Sequence, residues 1–447
     1  MRIHLLCDQK WRDLPNLTVI KLRLEALGHR VLLSTTKDAV PMLNAFRPDC
    51  VIFNHLFTPF NQAVARALRA SGGAVVVLPT EGAARPELQP INEGQFADFQ
   101  PMDLYLAWNE ITAKGIRDRW GFDTSAVRTL GCSRVDFYSP NFRAIVTPRT
   151  GFCRQHDINP DRPIVTWATT YHLARAAENE AAYRKFESES RVNGHAACCR
   201  RVGIDPVELP AIHAQGRRAA ADAFFALAAE RSQFQFIIRP HPAESHEFYL
   251  MQIAKRNLKN VRFCPRDFIW NILNASDIHL HRQCTTAIEA WMWDKPTIEM
   301  GMDYDARLRW PEREAGSDFV TTTRDLIGAV DQYAAGARVD AGKRAYRNDY
   351  IKRWFGTLDG CRCSETAEAI DDMLRARGRR RRYLTPLGGL RASPRQVVSA
   401  VVRYALGMRP NESLMRRELP NKIDPQDKQI SRNDVRAYSR LVAPALG

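Results

Sequence analysis

The stretch FIIRPHPAES, residues 236–245, ends an apolar run in an arginine and then sets His241 between two prolines. Pro240 and Pro242 fix their own φ and push Arg239 and His241 towards extended conformations, so the imidazole is held in one place at low entropic cost. FQFII has the composition of a buried strand, which puts Arg239 and His241 at its carboxyl end. A rigid turn whose histidine caps the next helix would use the same residues. The chemical reading is an anion site, in which Arg239 and His241 meet the phosphates of a ligand.

Residues 276–300, SDIHLHRQCTTAIEAWMWDKPTIEM, form a second constellation that reads as strand, tight turn, helix, turn, strand. Cys284, Thr285 or Thr286 falls at the start of the helix, where free N–H groups and the dipole attract a phosphate. Glu289 follows Thr285 by four residues and Thr286 by three, so the three share one helical face. A carboxylate there can accept hydrogen bonds from ribose hydroxyls. A capped helix with a solvated glutamate is the plain alternative.

Transfer chemistry also needs a base. Glu81, in TEGAARPE, directly follows the apolar run AVVVLPT and can deprotonate an acceptor hydroxyl, while Asp8, at the end of LLCD, competes for the role. Arg134 and Asp136, in LGCSRVD, are expected to form an ion pair that organises the same region. Asp303-Tyr304-Asp305 is a D-x-D of the kind that holds a divalent metal. Short acidic triplets recur by chance, however, and Arg239, His241 and the helix start already supply positive potential. No metal is required, and no cofactor is expected.

The elements that must position these groups alternate regularly. RIHLLCD, HRVLLST, DCVIFNH, AVVVLPT and LYLAW are short apolar runs separated by amphipathic stretches, with Gly28 and Gly72-Gly73 where helices should stop. This is a βαβ series, and it implies an α/β protein with a parallel sheet covered on both faces. The pattern lapses over about 137–162, a connection rich in proline and asparagine, and resumes with PIVTWATT, FQFIIRP, VRFCP, DIHLH and PTIEM. Two such domains leave a cleft between the carboxyl ends of their strands. The expected division is 1–145, 160–370 with a polar, partly helical insertion at 171–215, and a basic amphipathic tail at 375–447. The insertion reads as a lid or as decorated surface.

IIRPHPAE followed by DIHLHRQCTTAIEAWMWDKPTIEM resembles the surface carbohydrate biosynthesis proteins, relatives of the capsule Kdo transferases and the CDP-glycerol glycerophosphotransferases. CDQKWRDL, LPTEG and LGCSRVD extend the resemblance over roughly residues 1–330. It implies a GT-B architecture of two Rossmann-like domains, with the second holding a nucleotide-activated donor and the first presenting a glycan or lipid-linked acceptor. It further implies that His241 and Glu289 hold the donor's phosphate and ribose. Cys284 departs from the pattern, which has serine there, and a thiol is the poorer hydrogen-bonding group. A non-catalytic assembly protein and a nucleotide-sugar epimerase are the other functions compatible with the same architecture.

A net charge of +15 calls for acidic partners, and a 45% hydrophobic content is enough for globular cores. The ten cysteines show no zinc spacing, and the start MRIHLLCDQKWRD turns charged too soon for a secretion signal, so the cytoplasm is expected. RARGRRRRYLTPLGGLRASPRQVVSAVVRYALGMRP joins an arginine run to an amphipathic segment, which suits peripheral attachment to the anionic inner face of a plasma membrane. A solvated tail is the plain alternative. RNA would use the same charge, yet no aromatic platform accompanies it and nucleic acid is not expected.

Overall fold

The computed structural model describes residues 1–56, 58–85, 102–120, 124–192, 195–303, 305–378, 392–407 and 429–446. Two six-stranded sheets carry the fold. The first contains β1 (Arg2–Cys7), β2 (Arg30–Thr35), β3 (Cys50–Phe53), β4 (Ala74–Val77), β5 (Leu104–Ala107) and β6 (Val127–Thr129), ordered β2-β1-β3-β4-β5-β6. The second contains β7 (Ile164–Ala168), β8 (Gln235–Arg239), β9 (Val261–Phe263), β10 (Ile278–His281), β11 (Thr297–Met300) and β12 (Asp318–Val320), ordered β12-β11-β10-β7-β8-β9.

Every pairing is parallel, so all carboxyl ends of a sheet share one edge. Strand order reverses between β1 and β3 in the first sheet and between β7 and β10 in the second, and at such points the connecting helices leave to opposite faces and open a crevice. The central strands are buried on both faces, which is why they read as continuous apolar runs. Of the four edge strands, β6, β9 and β12 span three residues each, too short for a periodic signal. Gly28 and Gly72 take the left-handed φ of +89° and +79° just past their helices, as the spacing predicts.

The stretch 137–162 is compactly folded. Phe137, Phe142 and Ile145 sit in the first sheet's core and Phe152 in that of the second, with the helix Arg149–Gln155 between them and β7. Asp136 does not pair with Arg134. Its carboxylate accepts the N–H groups of Arg362 (3.0 Å) and Cys363 (2.7 Å) and so caps the helix Arg362–Arg377. Burial pushes the Asp136 carboxyl up to about 6, against those two hydrogen bonds.

An aromatic seam joins the two halves. Trp108 of the first packs in one cluster with Trp291, Trp310, Tyr350 and Trp354 of the second, and Trp310 meets Trp354 edge to face at 5.2 Å. Cys132 N–H donates to the Phe355 carbonyl across this seam (2.7 Å), and Gly131 makes that approach possible at φ +82°, since a Cβ there would lie 2.8 Å from the same oxygen.

The last part of the chain returns to the first sheet. Ala367, Ile370 and Leu374 of the helix Arg362–Arg377 share a core with Leu14, Leu17 and Ile20 of the helix Lys10–Ala26, as do Val435, Tyr438 and Val442 of the helix Arg432–Val442. Within the expected tail, the helix Pro394–Leu406 rests on the helix Ala39–Phe46, with Ala400 buried against Leu32 and Met42. The arginines of the basic run from 379 to 382 lie outside the described residues, while Arg375 and Arg377 pair with Asp371 and Asp103. Among the described residues no helix is long and apolar enough to cross a membrane.

This docking is testable. Tyr438→Ala removes a ring that is 5% exposed and should cost about 3 kcal/mol in urea unfolding, as a core deletion does. A merely solvated tail would give a change within about 0.5 kcal/mol.

Candidate functional site

His241 is fixed from three sides. Its N–H donates to Thr169 Oγ1 (3.1 Å) in the loop after β7, its carbonyl accepts from Glu244 N–H (2.9 Å), and its Nδ1 accepts from Ala243 N–H (3.2 Å). The last bond leaves Nε2 as the protonated nitrogen of the neutral ring. Glu244, in the same motif, is 1% exposed and binds the Tyr171 N–H (2.5 Å) and the Tyr249 hydroxyl. Burial pushes its carboxyl up to about 7, against hydrogen bonds from Tyr249, Thr169 and Tyr171. The geometry of the turn therefore rests on a buried acid that ties β8's loop to β7's.

Arg239 is placed differently from the expectation of a phosphate ligand. Its guanidinium donates to the carbonyls of Cys264 (3.5 Å), Pro265 and Asp267 (3.1 Å), and so braces the loop after β9, and the residue also lines the cleft. A strand-end arginine beside a neighbouring strand's free carbonyls satisfies them before any ligand arrives.

Cys284 is the N-cap of the helix Thr285–Trp291, in extended conformation and without a side-chain cap bond, and burial raises its thiol. Thr286 is turned inward, its hydroxyl 2.9 Å from His279 Nε2. Glu289 is 9% exposed and accepts the Tyr138 hydroxyl at 2.7 Å, a hydrogen bond between the two halves of the chain. Burial raises its carboxyl, opposed by Arg134 and by the Tyr138 bond.

Across the cleft, Arg12 gathers the acids of the first sheet. Its guanidinium reaches Asp13 (2.7 Å), Asp8 (3.1 Å) and Glu81 (3.3 Å), so both candidate bases are held by one cation. Glu81 is the open one, with a side chain 82% exposed. Its loop passes tightly over Trp108, since a Cβ on Gly82 would lie 2.6 Å from the indole. Asp305 of the D-x-D is engaged by Arg307 (2.7 Å); Tyr304 lies outside the described residues.

Two adjoining cavities, of about 360 and 160 Å³, occupy the cleft and share Arg12, Glu81, Arg134, His241, Cys284 and Thr285. Glu289 lines the smaller, and the larger adds His172, His213, Arg282 and Arg313. These four, with Arg12, were not singled out from sequence, because their neighbourhood is created by chain crossings. His172 and His213 come from the insertion 171–215, whose described helices pack beside the second sheet. His172 stands 5.1 Å from the His241 ring and 5.2 Å from that of His213. Burial, then the charges of His172, Arg282 and His241, hold His213 well below 6.5, so it is neutral. Arg134 lines both cavities, and its Nε is buried without a hydrogen-bond partner.

No protein-family model matches the chain, and no curated protein matches it by sequence. Solved structures do match it. UDP-GlcNAc 2-epimerase from Neisseria meningitidis, bound to UDP-GlcNAc, is 13% identical with a TM-score of 0.53, over 83% of this chain and 100% of that one. A putative UDP-N-acetylglucosamine 2-epimerase from Listeria monocytogenes is 11% identical with a TM-score of 0.51, over 86% and 99%. The wall teichoic acid polymerase TagF with CDPG is 9% identical with a TM-score of 0.52, over 83% and 88%. Likeness at such identities is likeness of fold, and the chain has the two-domain Rossmann-like GT-B architecture.

The buried Glu244 has a signature in pH. Its folded pKa of about 7 lies above the ordinary 4.5, so its contribution to stability is complete below about pH 4.5 and is lost as pH rises through 7. Melting temperatures of wild type and Glu244→Gln between pH 4.5 and 8 should show a shallower decline in the variant. Parallel curves would mean that Glu244 is ionised in the folded protein throughout.

Proposed function

We propose that the chain is an enzyme of surface polysaccharide biosynthesis that takes a nucleotide-activated sugar or polyol phosphate and transfers the activated group to a glycan or lipid-linked acceptor. The observation that carries this reading is the convergence of His241 and Glu289 on one cavity at the second sheet's reversal point, opposite Glu81 of the first sheet. His241 Nε2–H and the Arg134 guanidinium, both from residues that line the cleft, suit the donor's phosphates. The Glu289 carboxylate suits ribose hydroxyls, and its fixed bond from Tyr138 leaves further acceptor capacity for them. The UDP-GlcNAc and CDPG of the similarly folded structures are ligands of this class.

In glycosyl transfer, the acceptor oxygen would bond to the sugar carbon as Glu81 takes its proton, and the carbon–oxygen bond to phosphate would break with its electron pair going to the nucleotide. In phosphoalcohol transfer, the same oxygen would attack phosphorus, and a nucleoside monophosphate would leave. His241 and Arg134 act on the developing phosphate charge in the first case and at the attacked phosphorus in the second. Glu81 is engaged by the Arg12 guanidinium at 3.3 Å, and this favours a second reading: an epimerase, which has no acceptor to deprotonate. Both readings belong in the cytoplasm, and a lipid-linked acceptor would bring the protein to the inner face of the plasma membrane.

A nucleotide screen by thermal stabilisation tests the common premise. A ligand at a hundred times its Kd adds about 2.7 kcal/mol, and CDP or CMP selectivity would support the glycerophosphate and Kdo branches. UDP selectivity with turnover of UDP-GlcNAc in the absence of any acceptor would establish the epimerase. No response to any nucleotide would leave a non-catalytic assembly protein.

His241→Ala should fold normally and lose roughly ten- to a hundredfold in nucleotide affinity or turnover, the loss of about 1.5–3 kcal/mol expected for one charge-assisted contact. Unchanged affinity and activity would refute its phosphate role. Glu289→Gln should weaken ribonucleotides more than their deoxy analogues, measured by calorimetry; equal weakening would make the carboxylate purely structural, through Tyr138.

A further inference from the structure

A cavity of about 740 Å³ that shares no residue with the cleft lies beside the edge strand β2. Its walls come from the helices Lys10–Ala26, Ala39–Phe46, Pro394–Leu406 and Arg432–Val442, so it exists only because the end of the chain folds back on the first sheet. The floor is apolar, with Leu32, Met42, Phe46, Val401 and Val435. The rim is cationic. Arg30, Arg432 and Arg436 stand there with no carboxylate partner among the described residues, whereas Lys21 is paired with Glu25 at 2.5 Å.

We propose that this groove takes up one anionic membrane lipid, with an acyl chain along the apolar floor and the phosphate among Arg30, Arg432 and Arg436. Charge and polarity together select this occupant. A free phosphate or a nucleotide would meet the arginines but leave the floor wet, and a neutral lipid would leave three cations uncompensated. The volume falls in the range of small-molecule sites.

The helix that forms one wall supports a membrane source for the lipid. Val398, Val402 and Leu406 are 61%, 46% and 64% exposed and recur every four residues, so they make one apolar stripe on a helix whose other face is docked through Ala400. A bilayer that accepted this stripe would sit at the mouth of the groove. The inference draws on the reading of a lipid-linked acceptor only for the membrane itself.

The test uses the full-length chain and short-chain phosphatidic acid kept below its micelle concentration, with binding followed by calorimetry. Uptake is expected, and Ala45→Trp, which fills the groove, and Arg436→Glu, which reverses a rim charge, should each weaken it at least about tenfold. Nucleotide binding in the cleft should stay as in wild type. Equal binding of inorganic phosphate or of short-chain phosphatidylcholine would overturn the proposal, as would full affinity in both variants. Self-association abolished by Ala45→Trp, without lipid uptake, would assign the groove to a second copy and overturn it too. Sedimentation with phosphatidylglycerol vesicles separates the two readings: uptake of the short-chain lipid without vesicle binding sustains the groove and removes the membrane reading.

Discussion

The packing of Trp108 on Phe355 at 5.4 Å, inside one buried cluster with Trp310, Tyr350 and Trp354, holds the carboxyl edges of two parallel sheets against each other. Parallel strands present their unsatisfied loops at one edge, and a ligand site between two such edges needs them set at a fixed distance. Buried aromatic rings do this well because they remove large apolar areas from water while their N–H groups remain bonded, as Trp354 is to Glu312 (2.9 Å). The Tyr138–Glu289 bond adds a polar tie inside the cleft itself.

Around that seam, buried and half-buried ionisable groups set the shape of loops. Glu244 joins the ends of β7 and β8, Asp136 caps the helix that returns to the first sheet, and Arg12 collects Asp8, Asp13 and Glu81. Each would be costly alone in a low-dielectric interior, and each is accompanied by hydrogen bonds that offset the burial. Such groups make a site rigid by making its alternatives expensive. They also explain why residues of matching chemistry diverge: Arg239 spends its donors on carbonyls of the next loop, while Arg134 lines the cleft with its buried Nε unpartnered.

The C-terminal helices give the first sheet a covered edge and leave a groove beside it. Tyr438 and Val442 complete the core under the helix Lys10–Ala26, and Ala400 closes over Leu32 and Met42. The amphipathic pattern around residues 394–406 was legible as a helix with one apolar and one basic side. Which apolar residues meet protein and which stay exposed depended on the partner helix Ala39–Phe46, far away in sequence.

The sequence by itself determined the alternation of strand and helix, the rigid proline-flanked His241, and the sharing of a helical face by Thr285, Thr286 and Glu289, because these follow from local sterics and periodicity. It also carried the α/β class and the cleft, since parallel strands need crossover helices and leave their carboxyl ends on one side. Only the tertiary structure decided what each side chain meets: that Asp136 caps a helix over two hundred residues later, that Glu81 and Asp8 share Arg12, that Arg239 braces a loop, and that His172 and His213 stand beside His241. Those are contacts between segments distant in the chain, and a one-dimensional pattern contains the period of each segment but not its neighbour.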